Sequence, residues 1–183
     1  MTGAATGASV LEQWLADEAR LRATGQPNPG VADPKDVAGK TGLETLEALL
    51  AGKLPPPPIS RALDFILVEV APGRAVFQGR PSERFLNPLG GLHGGWYATL
   101  LDSAVGCAVH TTMPVGRGYT TLELKLNIVR AVSPKLPLVR ALGQVIHAGR
   151  QTATAEGRIV DADGKLYAHA TTTCLVFELP PSR

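Results

Sequence analysis

Aromatic side chains are scarce in this chain, nine among 183 residues, so the core it forms must be filled mainly by aliphatic groups. Cysteine is scarcer: Cys107 and Cys174 stand alone, with no CxxC pair. That excludes a disulfide scaffold and a thiolate zinc site. Net charge is nearly missing as well. Eighteen Lys and Arg against sixteen Asp and Glu leave +2, too little to argue for nucleic acid as the main partner. No apolar run reaches the roughly 20 residues that span a bilayer. Residues Met1 to Ser9 are small and uncharged and are followed by Glu12, Asp17 and Glu18, which is not the order of a secretory signal. A soluble cytoplasmic protein, with no membrane or nucleic-acid partner, is the expectation. With 44% hydrophobic and 19% charged residues the chain is neither disordered nor fibrous, and its length suits one sizeable core.

The charge that is present is unevenly placed. Residues 1–52 carry seven acidic and four basic side chains, whereas residues 53–183 carry nine acidic and fourteen basic. The larger part is therefore the one suited to attract an anionic small molecule. In the smaller part, Ser9 to Glu12 reads as a capping box opening a helix to Arg22, with Val10, Leu11, Trp14 and Leu15 on one face. Residues 24–40 read as loop. Thr41 to Glu44 form a second capping box before a short helix ended by Gly52, and Pro55 to Pro58 make a stiff extended spacer. Residues 1–58 are accordingly expected to form a helical, Pro-rich extension that lies across the sheet or the mouth of a pocket, and residues 59–183 the main domain.

After the spacer the pattern changes period. Phe65 to Val70 and Ala75 to Gln78 flank a Pro72-Gly73 turn and read as a hairpin. His93 to about Thr112 is long, small and apolar, which predicts a helix buried on most sides. Strands are then expected over Tyr119–Val132, Leu136–Ala148, Gln151–Val160 and Leu166–Phe177, the last two joined by a turn at Asp161 to Gly164. Short connections imply an antiparallel meander. An α+β fold, with the sheet wrapped around the one hydrophobic helix, satisfies both elements.

The segment with the most chemistry runs from Asn87 through Gly90, His93, Gly94 and Gly95 to Asp102. Asp102 sits in the middle of an otherwise apolar helix. Burial costs a carboxylate its hydration, and general bases and nucleophiles are often built from carboxylates so placed. A polar seam or a nearby Arg would be the structural alternative. Gly94 and Gly95 open the helix, where free backbone N–H groups and the helix dipole can polarise a carbonyl oxygen, or where a plain tight turn suffices. His93 can donate to the same oxygen or cap the helix, and Asn87 can bind a carbonyl or water or serve the loop. Gly94 and Asp102 are eight residues apart, about 12 Å of helix at 1.5 Å per residue. One reacting carbonyl cannot touch both in a single chain, so a shared site requires a dimer. Cys107 and His110 as a nucleophile–base pair, and His147 with His169 as metal ligands, are weaker alternatives.

The order Asn-x-x-Gly-x-x-His-Gly-Gly with an acid nine positions after the His resembles the hotdog-fold acyl-CoA thioesterases, in particular their phenylacetate-pathway (PaaI-type) branch. Thr120 to Arg130, His147 to Arg150 and Asp163 to Lys165 match as well, over roughly residues 59–178. The resemblance implies a hotdog fold, a homodimer that often pairs into a tetramer, and hydrolysis of an acyl-CoA thioester without metal or other cofactor. By position it implies Asp102 as base or nucleophile, and the Gly94 N–H as the group polarising the carbonyl, with His93 and Asn87 assisting. It also implies contacts from Gly95, Thr121, Ile128, Val129 and Arg130 to the acyl-pantetheine arm. His147, Gly149 and Arg150 would meet the nucleotide, where a guanidinium suits a phosphate. Where some relatives carry Ser or Thr one turn beyond the acid, this chain has Gly106. The alternatives are a non-catalytic acyl-CoA-binding hotdog module and a hotdog hydratase or dehydratase.

Overall fold

The computed structural model describes residues 6–23 and 27–180. The loop expected at 24–40 therefore falls partly outside the described residues, as do the outer ends of the two segments bounded at 1 and 183. In its described part Pro34–Val37 is a short helix rather than loop, capped by Asp33. The expected spacer stays extended only to Pro57, because Pro58 opens another short helix. Along the chain lie α1 (Gly7–Arg22), α2 (Pro34–Val37), α3 (Gly42–Leu50), α4 (Pro58–Ala62), β1 (Phe65–Ala71), β2 (Arg74–Gly79) and a 3-10 turn at Glu83–Phe85. They are followed by α5 (Gly94–His110), β3 (Arg117–Ile128), β4 (Val139–Ala148), β5 (Thr152–Val160) and β6 (Leu166–Glu178). The six strands form one antiparallel sheet in the order β1-β2-β4-β5-β6-β3, and α5 packs against one face of it. This is the expected hotdog arrangement.

Alternation decides which face each strand buries. In β5, Ala153, Ala155 and Ile159 point at α5 with no exposure, while Thr152, Glu156 and Arg158 face out. Helix α5 returns Leu101, Ala104, Val105, Ala108 and Val109, all fully buried. The contact is close because two glycines face each other across β4 and β5. Gly143 pairs with Gly157, and a Cβ on Gly143 would fall 2.2 Å from the Ala104 carbonyl oxygen. The sheet can thus rest directly on the helix backbone at the turn that follows Asp102.

The meander is corrected at one strand. β4, β5 and β6 do follow one another, but β3 pairs with β6 at the far edge and β4 pairs with β2. The link from Val129 to Leu138 holds Pro134 and Pro137 and is too long and stiff for a hairpin turn. Instead it carries the chain back across the sheet, anchored where the Val132 N–H donates to the Tyr97 hydroxyl at 2.8 Å. β3 is therefore an edge strand with one side unpaired.

The first helix also starts earlier than expected. Thr6, not Ser9, is its N-cap, accepting from the Ser9 N–H. The capping box at Thr41 and Glu44 forms as expected. Helix α1 lies on the sheet face opposite α5: Leu21 packs on Val68 and Val76, each of which alternates with a residue turned toward α5. Burying such side chains contributes roughly 1.5–3 kcal/mol apiece. Helix α3 flanks β1, with Leu46 in the same apolar cluster as Leu100 and Phe65, and the Gly42 N–H bonds to the Met113 carbonyl just beyond α5.

Candidate active site

The chemistry is organised by one helix and the edge strand that crosses it. α5 begins at Gly94 because His93 caps it: His93 Nδ1 accepts the Gly95 N–H at 2.9 Å. An accepting Nδ1 places the ring proton on Nε2, so the exposed side of the imidazole is a donor. The Gly95 N–H is consumed by this cap. The Gly94 N–H has no acceptor among the described residues and stands at the positive end of the helix dipole. A Cβ at Gly94 would lie 3.6 Å from Ile128 Cδ1, so the end of β3 roofs this helix start.

Asn87 holds the preceding loop. Its Oδ1 accepts the N–H groups of Leu89 and Gly91 at 2.9 and 3.1 Å, and its backbone exchanges bonds with Gly90 and Gly91. The carbonyl end of the Asn87 side chain is thus spent on the loop, leaving its amide N–H groups as the donors it can offer. The bridge between Leu86 and Leu92 and the bond from the His93 N–H to Phe85 fasten this loop to the start of α5.

Asp102 is half-buried rather than enclosed. The buried faces of α5 turn to the sheet, whereas Asp102 shares with Ala98, Thr99 and Ser103 a partly exposed side of the helix. No Arg reaches it among the described residues. Among the described residues its one hydrogen-bond donor is the Thr121 hydroxyl, 3.0 Å from Oδ1. Thr121 is placed by a bulge in β3: it pairs with Cys174, the next paired residue is Glu123, and Leu122 is expelled to 61% exposure. Beyond Thr121, Tyr119 lies against Gly106 and its ring is 5.3 Å from that of His110. Burial, with the Asp102 charge adding to it, pushes the Cys107 thiol up to about 12, and a Tyr119 hydrogen bond opposes this only in part. The thiolate a Cys107 nucleophile needs is therefore suppressed, and burial likewise lowers the His110 pKa.

The expected nucleotide contacts gather at the end of β4 and the turn after it. Gly149 is required there, since a Cβ would lie 2.7 Å from His147 Nε2 and 2.9 Å from the Thr152 carbonyl oxygen. Arg150 is exposed, and its carbonyl accepts from Arg117, a residue the sequence reading missed. Both arginines border a cleft of 230 Å³ with Gln151, Val176, Phe177 and Glu178. Arg117 could not be found from spacing, because it reaches this turn only through the pairing of β3 with β6. Val129 and Arg130 are exposed past the end of β3, their N–H groups bonded to the Tyr167 carbonyl. In one chain, then, the structure joins Thr121 to Asp102 and Ile128 to Gly94. It leaves Gly94 and Asp102 eight residues apart on the same helix. No group of three metal-competent side chains occurs among the described residues, and no helix among them is long and apolar enough to cross a membrane.

Residues 89–168 match the family model described as the thioesterase superfamily. The chain is 29% identical over 110 residues to the 1,4-dihydroxy-2-naphthoyl-CoA hydrolase of Listeria monocytogenes, covering 60% of this chain and 88% of that one. Among solved structures, a mutant of the phenylacetic acid degradation protein PaaI from Thermus thermophilus is 30% identical with a TM-score of 0.58, covering 64% of this chain and 97% of the other. A phenylacetic acid degradation-related protein from Ralstonia eutropha is 29% identical with a TM-score of 0.64, over 70% and 97% of the two chains.

Proposed function

The chain belongs to the thioesterase superfamily, and from that premise we propose that it hydrolyses acyl-CoA thioesters to a free acid and CoA at a site shared by two subunits. The observation that carries the reading is the division of one helix into two half-sites. Gly94 offers an uncommitted N–H at its start, and Asp102 offers a carboxylate with one oxygen free of the Thr121 bond. Two chains related by a twofold axis along the free edge of β3 would bring the Gly94 of one to the Asp102 of the other, and each dimer would hold two such sites.

In this reading the thioester oxygen sits against the Gly94 N–H, with His93 Nε2–H and the Asn87 amide as further donors where negative charge develops. Asp102 takes the proton from a water whose oxygen bonds to the thioester carbon; the carbon–sulfur bond then breaks and the CoA sulfur leaves with a proton. Direct attack by the carboxylate, followed by hydrolysis of the anhydride, uses the same geometry. Thr121, Gly95, Ile128, Val129 and Arg130 border the path of the acyl-pantetheine arm. Arg150, with His147 and Gly149 shaping its turn and Arg117 beside it, meets the phosphates.

The test is thiol release from a panel of acyl-CoAs by the wild type and by Asp102→Asn. Turnover of one acyl class, lost by about a hundred- to ten-thousand-fold in a folded variant, is expected. Acyl-CoA binding without turnover in both proteins would favour the non-catalytic module instead.

A further inference from the structure

Asp102, Gly106 and His110 are four residues apart on α5 and so share one side of the helix. β3 runs along that side, with Thr121 against Asp102 and Tyr119 against the other two. Gly106 is buried, and a Cβ there would lie 3.3 Å from the Tyr119 hydroxyl oxygen and 3.4 Å from the ring. The phenol therefore lies on bare helix backbone, in space that a side chain at 106 would contest. Its hydroxyl engages Cys107 on the next position of the helix. Past the ring lies a second apolar cluster, formed by Val105, Val109, Met113, Ala153, Ala155, Cys174 and Val176 and separate from the cluster around Leu100 and Tyr97. Tyr119 is a partly buried residue packed against this cluster.

We propose that Tyr119 sets the acyl-length limit of the enzyme, closing the gap between α5 and β3 one helical turn beyond Asp102. This rests on the thioesterase reading. With its carbonyl carbon at Asp102, an acyl group directed along α5 toward His110 meets the ring after four helical residues, about 6 Å. That is the reach of about five carbon–carbon bonds, since a zigzag chain of roughly 1.5 Å bonds advances only about 1.25 Å per bond. Short acyl groups and single rings fit in front of Tyr119, and longer chains are stopped by it. The cluster itself is packed, with Val105, Val109, Ala153, Ala155 and Cys174 fully buried, so extra methylenes would occupy the volume that a smaller residue at 119 vacates, against this aliphatic wall.

The experiment measures kcat/KM across saturated acyl-CoAs from acetyl to decanoyl for the wild type, Tyr119→Ala and Tyr119→Phe. Wild type is expected to fall at least tenfold between butyryl-CoA and octanoyl-CoA. In Tyr119→Ala the preference should move to longer chains, by roughly fourfold for each methylene newly buried. Tyr119→Phe keeps the ring and should keep the wild-type profile, which separates blockage by the ring from any role of the hydroxyl. If Tyr119→Ala does not fold, Tyr119→Leu shortens the same stop and should show part of the shift. A folded Tyr119→Ala or Tyr119→Leu with the wild-type chain-length profile overturns the proposal while leaving the thioesterase reading intact. A wild type inert toward every acyl-CoA overturns both.

Discussion

Two carboxylates show how differently this molecule treats the same group. Glu18, on the outer face of the sheet, is 3% exposed and receives two bonds from Arg80, one from Arg22 and one from Gln78, all between 2.7 and 3.2 Å. Beside it Asp17 pairs with Arg140, whose guanidinium also lies 4.6 Å from the centre of the Trp14 ring. Asp102, on the helix at the opposite face, has one hydroxyl donor and an open flank. A carboxylate with every lone pair engaged clamps two elements together and has nothing left for a substrate. One held at a single oxygen keeps the other for chemistry. The region around α1 is built for attachment, and the seam between α5 and β3 leaves a carboxylate oxygen open for the proposed reaction.

The difference can be broken from either side, and the two substitutions should fail in opposite ways. Asp102→Asn should lose acyl-CoA hydrolysis by about a hundred- to ten-thousand-fold. Its urea midpoint should stay close to that of the wild type. Glu18→Ala should leave kcat/KM near the wild-type value and lower stability by roughly 1–3 kcal/mol, a range kept modest because Arg22 and Arg80 are half-exposed. In the same urea series, a Glu18→Ala protein that is inactive but fully stable would undo the contrast.

The pH dependence of that stability carries a sign. Burial pushes the Glu18 carboxyl up, but the hydrogen bonds and charges of Arg80 and Arg22 outweigh it and leave the pKa below the ordinary 4.5. The carboxylate then contributes its stability above 4.5 and loses it as pH falls through the lowered value. The gap in unfolding free energy between wild type and Glu18→Ala should be constant near neutrality and shrink on the acid side. A gap that widens as pH falls would contradict the assignment.

The smallest effect sharpens the reactive half. Thr121→Val removes the one donor to Asp102, and a single hydrogen bond to a charged group is worth about tenfold in rate. We expect kcat to drop by about that factor with KM little changed, and Thr121→Ser to restore it. A loss in KM alone would leave Thr121 as a substrate contact only, with no part in holding Asp102.

Much of this fold is readable in the sequence because local pattern and burial coincide. The hairpin of β1 and β2 announces itself by its Pro72-Gly73 turn, and α5 by a run of small apolar residues longer than any strand. Asp102 stands out there because it is the one carboxylate in the run, and the neighbouring Thr99 and Ser103 hydroxyls bond back to their own helix. What escapes is whatever depends on distant pairing. Asp17 meets Arg140 across 123 positions and Glu18 meets Arg80 across 62, so the clamp of α1 has no local signature. The edge position of β3 is set by the route of the chain around the sheet. With it are set the bond from Thr121 to Asp102, the packing of Tyr119 on Gly106 and the approach of Arg117 to Arg150. A bulge at Leu122 shifts the alternation by one residue, and no sequence period reveals it.

Mixing two inactive chains tests the shared site most directly. Asp102→Asn keeps the helix start and loses the acid. Gly94→Pro keeps the acid and deletes one N–H at the first helical position, where proline is well tolerated. If each site takes Gly94 from one subunit and Asp102 from the other, random re-pairing makes half the dimers hybrid, each with one intact site, and activity should return to about a quarter of wild type. No recovery after demonstrated subunit exchange would contradict the two-chain site.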